Sequence, residues 1–263
     1  MKRILSFSVI LLSVLAFNAC TVNNVSIDDE IGPIFEKHQV KGTFGMFDNS
    51  RGEFTIYDLD RFKLNYAPGQ TFNIVSTMVA LHTGKLTDDS SLVKGNDSLA
   101  KILNIYSAFR ANSTAHFETV ASLIGKDTMK FWVDSLKYGN KKIGTDLQHC
   151  WMNDTLQISA DEQLGLIKRL YFKQHPIRAS VQESLKKMLI VENNAQFQTA
   201  YQQGSVLVKG KKLGWVVGWI EENRHVYPFV INFDAGAEAD TDAIGKKLAK
   251  DILVHVGFFR GIM

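Results

Sequence analysis

Two Ser-x-x-Lys spacings, Ser91-Leu92-Val93-Lys94 and Ser184-Leu185-Lys186-Lys187, hold the residue types from which an acylated serine and its base are built. The first lies in a polar stretch beside Gly95-Asn96-Asp97, and the second lies on an amphipathic helical pattern with its lysines outside. A pattern that fixes two common residues arises readily by chance, so neither pair is assigned a catalytic role. A third segment has a more telling frame: Tyr66-Ala67-Pro68-Gly69-Gln70-Thr71-Phe72-Asn73-Ile74. From Thr71 the apolar residues Phe72, Val75, Met78, Val79 and Leu81 follow a helical period that closes at Gly84. Gln70 therefore stands at a helix N-terminus, where free N–H groups and the macrodipole face whatever occupies the space beyond. Neither Gln70 nor Asn73 can do covalent chemistry there. A neutral amide does not attack a carbonyl, and Asn has no group that accepts a proton near neutral pH. Both residues can equally cap the first helical turn. Ser76 lies too deep in the helix to replace them. No Gly-x-Ser-x-Gly elbow and no glycine-rich phosphate loop occur, and His116, His149, His175 and His225 lack metal-ligand spacing. No metal and no cofactor are expected.

The elements that must position this segment follow a leader. Met1-Lys2-Arg3 and an uncharged run from Ile4 to Phe17 precede Asn18-Ala19-Cys20. That run is short for a membrane span and reads as an export signal, residues 1–19, with Cys20 the lipidated first residue of the mature chain. The expected location is a membrane-anchored lipoprotein of the bacterial periplasm or outer membrane. Ordinary signal cleavage is disfavoured because no Ala-x-Ala pattern fits. Without residues 1–19 the chain carries 28 basic against 27 acidic residues, interleaved, which argues against nucleic acid as a partner. Cys150 then has no cysteine to pair with and reads as a small buried hydrophobe.

Residues 20–38 read as a polar tether leading into a first helix, and 39–263 as one domain. Gly42 to Phe47 and Glu53 to Tyr57 form a hairpin around the turn residues Asp48 to Gly52. Leu86 to Tyr106 is poorly patterned and reads as a surface excursion. Residues 115–137, Ile158 to Phe172 and Val181 to Val191 read as helices. Trp215 to Ile220 and Tyr227 to Phe233 make a closing hairpin, and Asp242 to Val256 a last helix. The order of strands, helices, strands and helix implies a mixed α/β (α+β) fold. Its antiparallel-type central sheet is flanked by helices, with a helical lobe inserted between strands.

Several segments in order carry a resemblance: the Tyr66–Ile74 frame, Tyr138-Gly139-Asn140, Cys150-Trp151-Met152, Leu156 to Gln163, and Gly214-Trp215-Val216-Val217-Gly218-Trp219. Over roughly residues 41–252 the chain resembles class D (oxacillinase-type) serine β-lactamases, of the penicillin-binding transpeptidase superfamily. The resemblance implies that fold and a cleft whose reactive positions are changed. The family's acylated serine falls on Gln70, followed by Thr71, and its carboxylated lysine base on Asn73. The second motif, Ser-x-Val, falls on Asn112-Ser113-Thr114; a one-residue slip would place Ser113 at the serine. The third, Lys-Thr-Gly, falls on Gln202-Gln203-Gly204. The carboxylate-binding arginine falls near Gly245, with Lys246 adjacent. Trp151 belongs to the same cleft by resemblance, although Trp151 and Trp219 read by type as core residues, and Tyr138-Gly139-Asn140 as a turn. Two functions follow from different classes. One is a non-catalytic module that binds a cell-envelope ligand or protein, and the other is a residual or altered β-lactam hydrolase.

Overall fold

The computed structural model describes residues 24–208 and 210–259. The export segment and Cys20 lie outside the described residues. In chain order the elements are β1 (Val25–Ile27), α1 (Gly32–Lys37), β2 (Lys41–Asp48), β3 (Glu53–Tyr57), α2 (Leu59–Phe62), β4 (Asn65–Tyr66), a 3-10 turn (Gly69–Phe72) and α3 (Asn73–His82). There follow β5 (Leu92–Lys94), β6 (Ile102–Asn104), α4 (Ile105–Arg110), α5 (Thr114–Ile124), α6 (Lys126–Ser135), β7 (Ile158–Ser159), α7 (Ala160–Tyr171) and α8 (Ala179–Leu189). The chain then returns to the sheet as β8 (Ile190–Asn193), β9 (Phe197–Val208), β10 (Lys211–Glu222) and β11 (His225–Ala235), and ends with α9 (Thr241–His255).

The central sheet has the order β1-β3-β2-β11-β10-β9-β8. Every pairing is antiparallel except β1 with β3. Alternation along β10 sorts its side chains between two layers. Leu213, Trp215, Val217 and Trp219 join the core under the helical lobe, whereas Val216 and Ile220 pack with α9 and α1. The helical lobe, between β3 and β8, is built around α3, in which every residue from Asn73 to Leu81 is buried. A helix buried on every side sits at the centre of a lobe rather than on its surface, and α3 does so although Asn73, Ser76 and Thr77 are polar.

Five segments differ from the sequence reading. Residues 25–27, read as tether, pair with β3, so the folded unit begins before residue 39. The expected single helix over 115–137 is two, broken at Gly125, whose φ of +80° suits glycine and ends α5. Ile190 and Val191 leave the helix as a strand, because β-branched residues beside an open sheet edge pair with β9. The excursion at 86–106 contains a small antiparallel β5/β6 pair, and Ile158 opens α7 as a strand against Tyr66.

His175 shows how tightly the lobe is sealed. Its Nε2 lies 3.0 Å from the Leu166 carbonyl, and the Gln182 amide bonds the backbone of His175 and Ile177. Burial, with Arg169 nearby, pulls the His175 pKa down to about 4. Because the folded value lies below the unfolded one, the unfolded chain binds the extra proton. Stability is expected to be intact above about pH 6.5 and to fall as pH drops towards 4, by roughly 3 kcal/mol at most from this group. Urea denaturation midpoints of the wild type and His175→Gln between pH 7 and 4 check this, with the variant showing the shallower loss.

Candidate functional site

The site forms where the 3-10 turn meets β9. Three contacts hold that turn. The Trp215 indole donates to the Ala67 carbonyl at 2.9 Å, and the Gly69 N–H donates to the Trp151 carbonyl at 2.9 Å. Phe72 stacks on Trp151 with ring centroids 5.5 Å apart and meets the Tyr138 ring edge-on at 5.3 Å. Gly204 supplies the fit. A Cβ there would stand 2.6 Å from the Thr71 nitrogen and 3.0 Å from that of Gln70, so only glycine lets the strand reach the turn.

Gln70 bridges both walls of the cleft. Its Oε1 accepts the Ser205 N–H at 2.6 Å, and its Nε2 donates to the Thr114 hydroxyl at 3.4 Å. Ser205 belongs to the edge of β9 that β8 leaves uncovered, since β8 pairs only as far as Ala200. Thr71 is buried, donates to the Pro68 carbonyl at 2.7 Å, and accepts the Gln163 amide at 2.8 Å. Gln163 is placed by the capping box at the head of α7, in which Ser159 and Glu162 each cap the other's backbone.

A second amide bridge lies beside the first. The Gln202 Nε2 donates to Asn112 Oδ1, with a longer contact of 3.4 Å to the Phe109 carbonyl. Asn112 reaches Gln202 from a left-handed backbone, φ +51°, which Asn tolerates better than most residues. Ser113 turns elsewhere: its hydroxyl lies 2.7 Å from His116 Nδ1, while His116 Nε2 meets the Lys101 carbonyl at 2.8 Å. Asn112, not Ser113, thus faces β9. Gln203 points to the opposite sheet face, where its Nε2 donates to the Asp242 carbonyl at 2.8 Å beside Gly245. The third-motif segment is therefore divided, with Gln202 and Gly204 at the cleft and Gln203 tied to α9. Lys246 is exposed on α9.

Behind the bridges, Asn73 is buried with both amide atoms unpartnered, as are Trp151 Nε1, Ser76 Oγ and Thr77 Oγ1. Trp151 and Trp219 are buried completely, as core residues. Tyr138 is also buried, and burial raises its phenol above the ordinary range, so it stays neutral. Cys150, next to Trp151 in the chain, is buried too, and burial pushes its thiol up to about 12. At the 138–140 turn Gly139 is left-handed at φ +49°, while Asn140 serves through its side chain, accepting from Gln157 N–H and donating to the Thr155 carbonyl. The nine positions Gln70, Thr71, Asn73, Asn112, Thr114, Trp151, Gln202, Gln203 and Gly204 include no carboxylate, lysine or histidine. Their side chains donate and accept hydrogen bonds and carry no group that titrates near neutral pH. No cluster of potential metal ligands occurs among the described residues.

Sequence reasoning missed three contributors: Ser205, Gln163 and Arg110, whose guanidinium lies 3.4 Å from the Tyr201 carbonyl. The capping-box spacing at Ser159 was the one local signal that could have oriented Gln163; the other two depend on the free edge of β9.

Residues 37–254 match the model of the penicillin binding protein transpeptidase domain. The chain belongs to this family. Among relatives of this transpeptidase domain, a probable β-lactamase, YbxI of Bacillus subtilis, is 26% identical over 242 residues, covering 90% of this chain and 86% of its own. The crystal structure of FUS-1 (OXA-85), a class D β-lactamase from Fusobacterium nucleatum, superposes with a TM-score of 0.83 at 26% identity, over 89% of this chain and all of that one. The C-terminal domain of the Bacillus licheniformis BlaR penicillin-receptor shares the fold, with a TM-score of 0.84 at 23% identity, over 91% of this chain and 99% of that one. The transpeptidase domain described here thus has the class D β-lactamase fold, with the sheet and inserted helical lobe expected from the sequence.

The unpartnered Asn73 amide yields a stability prediction. An orphaned buried polar group costs about 1–3 kcal/mol, and an apolar residue of similar shape removes that cost. Asn73→Leu is expected to raise the thermal midpoint, with a gain of about 1–2 kcal/mol. A loss of stability in calorimetry would instead show that the amide is satisfied by a bound molecule.

Proposed function

We propose that this chain is a non-catalytic member of the transpeptidase family, an exported lipoprotein whose cleft binds a cell-envelope ligand or partner instead of being acylated. The observation that carries the reading is the Gln70 amide. At the place where the resemblance puts the nucleophilic serine, a neutral side chain spends its oxygen on the Ser205 N–H and its nitrogen on Thr114. Asn73, at the place of the base, cannot accept a proton. Loss of the nucleophile from a serine-type catalyst costs about as much as loss of the whole constellation. What remains is a wall of amides and backbone N–H groups suited to a ligand rich in neutral amide or hydroxyl groups. That a penicillin-receptor shares the fold supports a binding role for it.

A second reading, a residual or altered β-lactam hydrolase, has one observation in its favour. Ser113 Oγ lies 2.7 Å from His116 Nδ1, and the Lys101 carbonyl holds the other ring nitrogen. That is a hydroxyl with a base in reach and an orienting acceptor behind it. Against it, the contact joins residues at one helix start and turns away from Gln70 and β9.

Intact-mass spectrometry after incubation with benzylpenicillin and a carbapenem separates the two. The expected result is an unchanged mass. A stable adduct on any serine overturns the non-catalytic reading, and an adduct on Ser113 selects the second one. Gln70→Ser alone is expected to leave nitrocefin intact, because the new hydroxyl lacks a base.

The proposed location rests on the leader and Cys20. No helix among the described residues is long and apolar enough to cross a membrane. Two or more acyl chains on an N-terminal cysteine anchor a protein stably without such a helix. Wild type is expected to take up radiolabelled palmitate and to sediment with membranes, and Cys20→Ala to do neither. Wild-type protein recovered in the soluble periplasmic fraction, cleaved at another residue, would reject the anchor while leaving the fold assignment untouched.

A further inference from the structure

Below Gln203, α9 and β9 part to leave a cavity of about 630 Å³, on the face of the sheet opposite the helical lobe. This lies within the size range of sites that enclose a small ligand. One wall is the alternate face of β9, Phe197, Thr199 and Tyr201. The other is the flank of α9, where Ala249 and Leu253 supply apolar surface and Lys246, Lys247 and Lys250 stand at the mouth. Phe259 closes one end, edge-on to Phe197 with ring centroids 4.8 Å apart.

The mouth carries more positive than negative charge, three lysines against Glu192. All three lysines are exposed, and none is in an ion pair among the described residues. Of the acids on the helix, Asp251 is already held by Lys37 at 2.8 Å and His38 at 2.9 Å, and Asp242 stands one turn before Lys246. Lys246 and Lys250 are one helical turn apart, a like-charge spacing that disfavours the helix unless an anion lies between. Glu192, across the groove on β8, repels an anion from that side. An apolar slot with cations on one lip and a carboxylate on the other fixes both the chemistry and the direction of an occupant.

We propose that this groove binds one single-chain anionic amphiphile, a long-chain carboxylate or its equivalent. The acyl chain lies against Phe197, Leu253 and Phe259, and the head group lies between Lys246, Lys247 and Lys250. The site is separate from the cleft and stands whether or not the cleft binds anything.

Isothermal titration of the mature protein with decanoate, below its micellar concentration, tests this. One saturable site is expected, weakened by added salt. Lys246→Ala with Lys250→Ala, both at exposed positions, is expected to weaken decanoate about tenfold. The same variant should not lower the thermal midpoint and should leave the affinity for neutral 1-decanol unchanged. Acetate should not compete. Absence of saturable decanoate binding overturns the proposal, as does equal binding by the double variant. Competition by acetate or by a short acidic peptide would also overturn it, by showing a plain anion or peptide surface in place of an amphiphile site.

Discussion

The site depends on one close approach: β9 presses its backbone at Gly204 against the first N–H groups of the turn that opens α3. At that distance no side chain fits between strand and turn. The turn must therefore be fixed from behind, and two tryptophans do this by different means. Trp215 donates its indole N–H to the Ala67 carbonyl, and Trp151 gives its carbonyl to Gly69 and its ring to Phe72. Removing the Trp215 indole would leave the buried Ala67 carbonyl unpaired, and removing the Trp151 ring would leave a cavity beside Phe72. The α3 helix below presents no face to solvent, since Asn73 to Leu81 are all buried.

From that fixed approach follows the use of amides. Where strand edge and helix start face each other, the exposed N–H groups of both need acceptors. Gln70 takes the Ser205 N–H, and its other end reaches Thr114 on α5; Gln202 and Asn112 make the parallel link. The cleft walls are thereby joined by neutral hydrogen bonds. Each such bond is worth only about 0.5–1.5 kcal/mol, yet none changes with pH in the ordinary range, unlike the charged groups that catalysis would require. Behind them the fold leaves several polar groups without a partner, the Asn73 amide with Ser76 Oγ, Thr77 Oγ1 and Trp151 Nε1.

The sheet's other face is organised differently. There α9 packs Leu248, Ala249, Ile252 and Leu253 onto β10 and β11, and Gln203 ties the head of the helix to β9. Below that tie a gap opens between helix and strand, lined by Phe197, Thr199 and Tyr201 of β9. The lysines of α9 therefore line a gap instead of covering a strand. A polar cleft on one side of the sheet and an apolar groove with a basic lip on the other thus share one element, β9.

Much of this was legible in the chain itself. Alternation identified the strands of both hairpins, and the helical period beginning at Thr71 put Gln70 at a helix start, because both signals come from burial on one face and survive in one dimension. Ordered motifs gave the class D resemblance, and residue type alone excluded Gln70 and Asn73 as nucleophile and base. Only the tertiary structure decided between Asn112 and Ser113, since a turn at φ +51° chooses which of two neighbours faces β9. It also broke the 115–137 segment at Gly125 and drew residues 25–27 into the sheet, where an unpaired edge outweighs a polar composition. The Gln70–Ser205 bond lay beyond any sequence reading. It joins residues 135 positions apart through a strand edge whose openness depends on where β8 stops.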